Sequence, residues 1–237
     1  MSKISYGINL GKESAARAAL EFVKNEMTVG LGTGSTAKIF VDLLAQKVFT
    51  EGLKIRVLAT SSATNKQARQ LGLPLTTIDD VKKIDLVVDG ADEVDPKLIM
   101  IKGGGGALLQ EKIVAESSER MIVIVDESKI VDKLGKFPLP IEVIKFGSDF
   151  TRKRIINELE KLGYSEISAN WRFEEARPFL TDEGHYILDL ELNQVTEHNI
   201  LNRSIKGVTG VVETGLFINL ADRVLIGHNN GELEIIE

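Results

Sequence analysis

The sequence predicts an α/β protein with a mostly parallel sheet in a larger domain and an α+β arrangement in a smaller one. Three observations predict this fold class. Apolar runs alternate with helical patterns up to about residue 125. Those runs are continuous, which is typical of strands buried on both faces of a parallel sheet. Beyond residue 136 the order of elements changes, so a second layer arrangement is expected there.

The first half of the chain supplies the elements of the larger sheet. Its continuous apolar runs predict strands at 27–32, 54–60, 84–90, 98–104 and 121–126. Segments with helical spacing or a terminal glycine predict helices at 35–48, 62–72 and 107–117. Strands that alternate with helices in this way form a parallel sheet with both faces covered.

The second half follows a different order. A strand, a helix, two strands and a helix are predicted at 139–146, 149–162, 165–173, 185–191 and 196–206. This order gives most of a split βαβ unit, as in ferredoxin-like folds. Short strands follow Gly207, and their sequence leaves open which domain they join. The predicted division is a ferredoxin-like domain at 133–206 and a catalytic domain formed by 1–132 and 207–237.

Composition excludes several classes of function. The chain has 237 residues and a net charge of −6, from 29 basic and 35 acidic residues, so general nucleic-acid binding is not expected. It has no cysteine, which excludes disulfides, thiol nucleophiles and thiolate metal sites. All three histidines lie in the last quarter, which argues against a histidine-rich metal site in the first half.

The same residues predict a cytoplasmic protein that does not enter a membrane. No apolar run approaches the roughly 18 residues of a membrane helix. The first residues, MSKISYGINLGKES, lack the apolar centre of a secretion signal. The absence of cysteine fits a reducing compartment.

The predicted strand at 27–32 ends in the first glycine run, GLGTGST at 30–36. Its glycines let the backbone approach a ligand, and the next helix offers free N–H groups to an anion. Ser35 and Thr36 add hydroxyl groups. The spacing matches neither G-x-G-x-x-G nor the P-loop. A sugar-phosphate cradle is one interpretation, and a tight turn with a Ser/Thr cap is the other.

The second glycine run lies within KGGGGALLQEK at 102–112. Four consecutive glycines have a large entropic cost unless the backbone must approach something closely. Lys102 precedes the run, and Glu111 lies about one turn into the helix that follows. This places a carboxylate near a helix N-terminus at the sheet edge where ligands bind. The alternative is that Glu111 belongs to a solvated helix face.

Asp89 and Asp92 lie at the end of the predicted strand at 84–90, in the acidic sequence DGADEVD. A metal site is one alternative, but the spacing fits no EF-hand loop. A helix cap is another, but Pro96 follows too soon for a long helix. A solvated turn stays open. The functional interpretation is that these carboxylates hydrogen-bond sugar hydroxyls and move protons between oxygens.

Two lysines accompany these strand ends. Lys129 follows the strand at 121–126, and Lys12 precedes an early helical pattern. Each alone is more often a surface residue. Because four predicted strand ends carry glycine, acid or lysine where open α/β sheets bind ligands, a ligand site is expected at that edge.

These segments together resemble the type A ribose-5-phosphate isomerase family. The matching blocks are GLGTGSTA, DGADEVD, KGGGGALLQEKI, DESKIVDKLGKFPLP, FLTDEGHYILDL and GVVETGLF, in the order of the family and over nearly the whole chain. Two departures are visible. Leu109 stands where the family usually has Thr, and DEGH at 182–185 replaces a common Asn-Gly-Asn pattern. Neither touches the residues that the family uses for catalysis.

The resemblance implies the metal-free interconversion of D-ribose 5-phosphate and D-ribulose 5-phosphate in the non-oxidative pentose phosphate pathway. It also implies a Rossmann-like larger domain and usually a homodimer, and the base of the family matches Glu111. The substrate-contacting positions match Lys12, Thr33, Gly34, Ser35, Thr36, Asp89, Gly90, Ala91, Asp92, Lys102, Gly103, Gly104, Gly105 and Lys129.

The residues suit this chemistry when they are read without the family. A carboxylate can take a proton from carbon 2 and return it to carbon 1 through an enediolate, as Glu does in another sugar-phosphate isomerase. Lys102 and the glycine amides can stabilise the oxyanion. Asp89 or Asp92 suits ring opening, and the choice between them stays open. The helix start at 34–36, helped by Lys12, suits the phosphate.

Three rival functions agree less well with these residues. An amino-sugar-phosphate deaminase is expected to carry a catalytic histidine at its strand ends, and this chain has none there. A CoA transferase would use a Glu as nucleophile and is usually longer or built from two subunits. A sugar-phosphate sensor needs the cradle but no base, and Glu111 argues against it.

Overall fold

A computed structural model gives the structure of residues 9–237, so the first eight residues of the predicted catalytic domain lie outside the described part. The strands are β1 Thr28–Leu31, β2 Arg56–Ala59, β3 Leu86–Asp89, β4 Glu93–Val94, β5 Met100–Ile101, β6 Met121–Asp126, β7 Leu139–Val143, β8 Ser168–Trp171, β9 Phe173–Glu174, β10 Arg177–Pro178, β11 Tyr186–Glu191, β12 Val211–Thr214, β13 Leu216–Phe217, β14 Arg223–Gly227 and β15 Leu233–Ile236. The helices are α1 Leu10–Ala19, α2 Ser35–Glu51, α3 Ser62–Gln70, α4 Leu108–Glu116, α5 Ser148–Lys161 and α6 His198–Lys206. Short 3₁₀ helices span Leu20–Phe22, Ile78–Asp80 and Glu127–Lys129.

The chain forms two compact units. The first unit holds the residues up to Gly90, together with Ile113–Ile130 and Leu220–Glu237. The second unit holds Ala91–Lys112 and Val131–Asn219. Within residues 9–237, every helix is too short or too polar to cross a membrane.

The first unit is built on a six-stranded sheet in the order β15-β14-β6-β3-β1-β2. All neighbouring pairs are parallel except the edge pair of β14 and β15. Strands β1, β3 and β6 are buried at every position, which is why their sequences are continuous apolar runs. Phe40 and Leu44 of α2 and Ala16 of α1 pack into the core of this unit. The predicted mostly parallel α/β sheet is confirmed.

The prediction that residues 98–104 form a strand of this parallel sheet was wrong. Its central residues form β5, which pairs antiparallel with β4 and β13 in a small sheet of the second unit. A tight turn causes the reversal, because Asp95 Oδ1 accepts the N–H groups of Lys97 and Ile99. Leu98 takes a left-handed conformation with φ of 59°. The short link between β4 and β5 leaves no room for a crossover helix, so the strands form a hairpin.

The second unit contains a four-stranded antiparallel sheet in the order β12-β7-β11-β8. Helix α5 connects β7 to β8, and α6 connects β11 to β12. This is the split βαβ arrangement, so the predicted ferredoxin-like fold is confirmed. Leu139, Ile141 and Leu188 from the sheet pack with Ile155 and Leu201 from the helices.

Apart from residues 131 and 132, the limits of the compact units differ from the predicted domain boundaries in two places. Residues 207–219 lie in the second unit because β12 pairs with β7 and β13 pairs with β5. Residues 91–112 also lie there because they carry β4 and β5. Pairing between strands that are distant in sequence determines the unit to which each segment belongs, and no local sequence pattern indicates that pairing. The division into catalytic and ferredoxin-like domains by function stays a prediction.

Candidate active site

In the first unit, Asp89 holds the first glycine run by its backbone. Asp89 Oδ1 accepts the N–H of Thr33 at 2.9 Å and that of Gly90 at 2.7 Å. Asp89 is completely buried. A Cβ atom at Gly32 would lie 2.0 Å from the same oxygen, so only glycine fits beside this carboxylate. The glycine at 32 and the aspartate at 89 therefore depend on each other.

Hydroxyl groups complete the support of the first run. Thr33 Oγ1 lies 2.9 Å from Thr60 Oγ1 and 2.8 Å from Ser61 Oγ. Thr64 Oγ1 donates to the carbonyl of Gly32 at 3.0 Å. Residues that follow β2 therefore brace the first run with neutral hydrogen bonds.

The start of α2 has the features of an anion site. Gly34 precedes it with φ of 113°, a conformation that favours glycine. Ser35 and Thr36 form its first turn, where backbone N–H groups have no helical partner. Lys12 Nζ donates to Ser35 Oγ at 2.9 Å and lies 3.9 Å from Asp126 Oδ2. A cation and a helix N-terminus are thus adjacent, as predicted for a phosphate.

Lys129 lies on the short helix after β6, in the first unit. Within residues 9–237, its ammonium makes no hydrogen bond and no ion pair with another side chain. The structure therefore places this predicted substrate lysine at the end of a sheet strand without assigning it a protein partner.

In the second unit, Asp92 holds the second glycine run. Asp92 Oδ2 accepts the N–H of Gly104 at 2.7 Å, and a Cβ atom at Gly104 would lie 2.7 Å from Asp92 Oδ1. Gly103 and Gly106 have φ of 110° and 74°, which explains two further glycines of the run. The N–H of Gly106 donates to the carbonyl of Gly103 at 2.9 Å and closes the turn. Asp92 is only partly buried.

Arg172, which the sequence analysis missed, contacts the carbonyl side of the same run. Its Nη1 donates to the carbonyls of Gly103 and Gly104 at 2.7 and 3.0 Å. Its Nε and Nη2 donate to the two carboxylate oxygens of Asp189 at 2.9 and 2.5 Å. Arg172 directly follows β8 and is 69 residues from Gly103 in sequence. No local pattern could therefore have revealed the contact.

Lys102 and Glu111 form a buried ion pair at the two ends of this segment. Lys102 Nζ lies 3.3 Å from Glu111 Oε2, and the two side chains are 2% and 5% exposed. The ring of Phe217 lies 5.3 Å from Lys102 Nζ and 4.8 Å from Lys112 Nζ. Burying two charges carries a large desolvation cost, and ionisable groups perturbed by burial and a charged partner cluster at functional sites. The alternative of a solvated face for Glu111 was wrong.

Lys112 makes structural contacts with β12, whereas Lys102 pairs with Glu111. Its ammonium donates to Glu213 Oε1 at 2.9 Å and to the carbonyl of Thr214 at 2.7 Å. Burial alone would raise the pKa of Glu213, but Lys112 and Lys206 outweigh it and hold that pKa below its usual range. Lys112 thus joins α4 to β12 and stabilises the fold of the second unit.

Glu142 is a second buried carboxylate that the sequence analysis missed. Its Oε1 lies 2.9 Å from Thr181 Oγ1 and 2.9 Å from His185 Nδ1, while Oε2 has no hydrogen-bond partner among residues 9–237. Burial raises the pKa of Glu142, although the bonds from His185 and Thr181 lower it. A cavity of about 10 Å³, lined by Gly106 and Glu142 among others, has room for one water molecule.

The structure groups the predicted site residues by unit. Those in the first unit are Lys12, Thr33, Gly34, Ser35, Thr36, Asp89, Gly90 and Lys129. Those in the second unit are Ala91, Asp92, Lys102, Gly103, Gly104, Gly105 and Glu111. Among residues 9–237, no three His, Asp or Glu side chains are arranged to hold a metal ion.

Comparison with known proteins gives a consistent result. Residues 56–231 match the sequence profile described as ribose 5-phosphate isomerase A (phosphoriboisomerase A). Ribose-5-phosphate isomerase A of Nitrobacter hamburgensis is 50% identical over 226 residues, which cover 95% of this chain and 97% of that protein.

Solved structures agree with the sequence relatives. Ribose 5-phosphate isomerase from Plasmodium falciparum superposes with a TM-score of 0.90 at 37% identity, covering 96% of this chain and 97% of that one. A D-ribose-5-phosphate isomerase in complex with phospho-erythronic acid superposes with a TM-score of 0.88 at 37% identity, covering 95% and 97%.

Proposed function

The chain belongs to the ribose 5-phosphate isomerase A family, and on that premise we propose that it interconverts D-ribose 5-phosphate and D-ribulose 5-phosphate through an enediolate, with Glu111 as general base. The observation that carries the proposal is the buried pair of Lys102 and Glu111, which brackets the second glycine run. The reaction would serve the non-oxidative pentose phosphate pathway.

The proton transfer needs one carboxylate and one source of positive charge. Glu111 removes the proton from carbon 2 of the open aldose, and the electron pair forms the carbon–carbon double bond of the enediolate. Glu111 then returns the proton to carbon 1, while the hydroxyl proton of carbon 2 passes to oxygen 1, and these two transfers give the ketose and restore the carboxylate. Lys102, 3.3 Å from Glu111, stabilises the oxyanion that develops, together with N–H groups of the glycine run.

Ring opening is assigned to Asp92 rather than Asp89. Asp89 is fully buried and its Oδ1 already accepts two backbone N–H groups. Asp92 is partly accessible, so a sugar hydroxyl can reach it. The ionised carboxylate accepts the proton of the sugar hydroxyl, and the protonated carboxyl then gives it to the ring oxygen. One aspartate can therefore carry out both proton transfers of ring opening.

The phosphate is assigned to the start of α2. Ser35, Thr36 and the N-terminal N–H groups of the helix supply donors, and Lys12 supplies charge. Lys129 is a further cation for the substrate, because its ammonium has no ion-pair partner within residues 9–237. Phospho-erythronic acid, the compound in the related complex, is expected to bind this chain as a substrate-like probe.

We also propose a homodimer in the cytoplasm, without nucleic-acid or membrane partners. Light scattering coupled to size-exclusion chromatography tests the dimeric state. A mass of about twice the 26.0 kDa of one chain supports a homodimer, and a mass of one chain contradicts it.

Incubation with ribose 5-phosphate and measurement of ketose formation tests the function directly. An isomerase converts the sugar at a catalytic rate, whereas a sugar-phosphate sensor binds phospho-erythronic acid without producing ketose. Binding without turnover would contradict the proposed function and favour the sensor.

A further inference from the structure

We propose that Arg172 is a positioning residue that sets the direction of the N–H groups in the second glycine run. The proposal rests on the proposed function, because it assigns those N–H groups to the oxyanion. Four hydrogen bonds join Arg172 to Asp189 and to the carbonyls of Gly103 and Gly104. All of these residues lie in the second unit.

Asp189 fixes the direction of the Arg172 guanidinium. Asp189 accepts from Nε and Nη2, in the two-point geometry that fixes a planar fork on a carboxylate. This leaves Nη1 pointing at the glycine run. The Arg172 side chain is 16% exposed and that of Asp189 is 22% exposed, so the fork is largely shielded from water.

Two side chains hold the peptide between Gly103 and Gly104. A peptide unit is planar, and its C=O and N–H point in opposite directions. Arg172 holds the carbonyl of this peptide, and Asp92 holds its N–H at 2.7 Å. One peptide is therefore gripped at both ends, which fixes its rotation despite the freedom of the two glycines.

The next peptide joins Gly104 to Gly105. Arg172 also holds the carbonyl of Gly104, so the N–H of Gly105 must point away from the guanidinium. Both Gly104 and Gly105 are exposed. The N–H of Gly105 makes no hydrogen bond within residues 9–237. Arg172 thus orients a donor that is available to a ligand, which is what a preorganised oxyanion donor requires.

Phe179 braces the end of the run and also contacts Arg172. A Cβ atom at Gly106 would lie 2.3 Å from the Phe179 ring, so the ring packs directly on the glycine. The guanidinium lies 5.8 Å from the centre of the same ring. The N–H of Phe179 donates to the carbonyl of Arg172 at 2.9 Å. The side chains that hold the run therefore also support one another.

Arg172 is not assigned a contact with the substrate. Its Nε, Nη1 and Nη2 all have protein acceptors. Its effect on the reaction is expected to pass through the backbone of the run, and so to appear in kcat rather than in ground-state binding.

The test compares Arg172→Ala with Arg177→Ala, which removes an exposed arginine of β10 in the same unit. Arg172→Ala is expected to lower kcat about 10²-fold, the scale of a small misplacement at a reacting centre, with KM and the Kd of phospho-erythronic acid changed by about threefold or less. Arg177→Ala should match the wild type. Added guanidinium ion should restore part of the kcat of Arg172→Ala and none of that of Glu111→Gln.

Amide hydrogen exchange supplies a readout that does not depend on turnover. Peptides covering residues 102–108 should exchange faster in Arg172→Ala than in the wild type or Arg177→Ala. If the wild type forms no ketose, the proposed function fails, and this exchange comparison still decides whether Arg172 holds the run. Unchanged exchange in the run would overturn the inference, as would a kcat within about twofold of the wild type.

Arg172→Lys guards against misfolding of the alanine variant. Lysine keeps the charge and much of the stem but cannot form the fork, so it should fold and still lose kcat. Wild-type kcat in a folded Arg172→Lys protein would show that a charge alone suffices and would overturn the positioning role.

Discussion

The two glycine runs are built to the same plan with different supports. In each, a backbone N–H donates to one aspartate of DGADEVD, Asp89 for the first run and Asp92 for the second. The first run is otherwise braced by neutral hydroxyls, such as those of Thr60 and Ser61. The second is braced by the charged pair of Arg172 and Asp189.

This difference fits the tasks that we propose for the two runs. A phosphate keeps its charge throughout the reaction, and fixed N–H and hydroxyl donors suffice to bind it. Charge develops at the sugar carbonyl during proton transfer, and donors there must be held rigidly in advance. We therefore expect changes near the first run to raise KM and changes near the second run to lower kcat.

The largest effect is expected from Glu111→Gln. The amide keeps the size of the side chain and cannot act as the base, so kcat should fall about 10²–10⁴-fold while phospho-erythronic acid still binds. Steady-state kinetics and calorimetry measure the two quantities. Glu116→Gln, at an exposed position of the same helix, is the matched control and should be active. A folded Glu111→Gln enzyme with near-normal kcat would rule out the assignment.

Asp92→Asn should give the next largest effect. If Asp92 opens the ring, kcat with ribose 5-phosphate should fall by about 10²-fold, because the amide cannot carry the proton. The fall with ribulose 5-phosphate should be smaller, because that sugar cannot close to the same ring. Initial rates at saturating substrate in both directions measure the contrast.

Asp89→Asn is the companion variant, and it should raise KM in both directions to a similar extent because it acts through the first run. Each substitution should change stability only slightly, since asparagine favours similar turn conformations. Wild-type kcat for Asp92→Asn together with wild-type KM for Asp89→Asn would show that the acidic stretch is only a turn.

Lys12→Met tests the first run. Loss of a charged hydrogen-bond donor near the phosphate should raise KM about 10-fold or more, with kcat changed little. The exposed Lys54 of the same unit provides a control, and Lys54→Met should leave KM unchanged. A loss confined to kcat would contradict the division of tasks between the runs.

The smallest effect is expected from Glu142, the buried carboxylate near the second run, and it concerns the melting temperature. Burial raises the pKa of Glu142 in the folded state above its unfolded value. A carboxyl of this kind contributes stability that is full below the unfolded pKa and is lost as the pH rises through the folded pKa. Glu142→Gln should therefore gain Tm relative to the wild type by a few degrees at pH 7 and by less at pH 4.

Glu213→Gln should change Tm at pH 7 in the opposite direction to Glu142→Gln. Burial opposes ionisation of Glu213, but Lys112 and Lys206 lower its pKa overall. Its contribution is present above the unfolded pKa and is lost as the pH falls through the folded one. Glu213→Gln should lower Tm at pH 7. If the two variants shifted Tm in the same direction at pH 7, the electrostatic account would be wrong.

The sequence predicted the parts of the fold that local patterns encode. Strands β1, β3 and β6 were predicted because burial on both faces leaves a continuous apolar run. The placement of β5 and β12 could not be predicted, because pairing with distant strands decides it. A two-residue strand carries too little pattern to show its direction.

The candidate site divides in the same way. Glu111 was predicted because it follows a glycine run, and Asp89 and Asp92 were predicted because they lie at the end of a continuous apolar run. That the two aspartates hold loop N–H groups was not predicted, since those partners lie 56 and 12 residues away. Arg172 and Glu142 were missed because each is a single polar residue beside or within an ordinary strand, and only tertiary structure reveals its partners.

Hydrogen exchange at carbon 2 of ribose 5-phosphate tests the central claim most directly. In D₂O, the wild type should replace the carbon 2 hydrogen with deuterium, or deliver deuterium to carbon 1 of the ketose, as NMR can follow. Glu111→Gln should lose this exchange by about 10²-fold or more while still binding phospho-erythronic acid, and Glu116→Gln should retain it. Exchange by Glu111→Gln at close to the wild-type rate would show that another group removes the proton, and it would contradict the account.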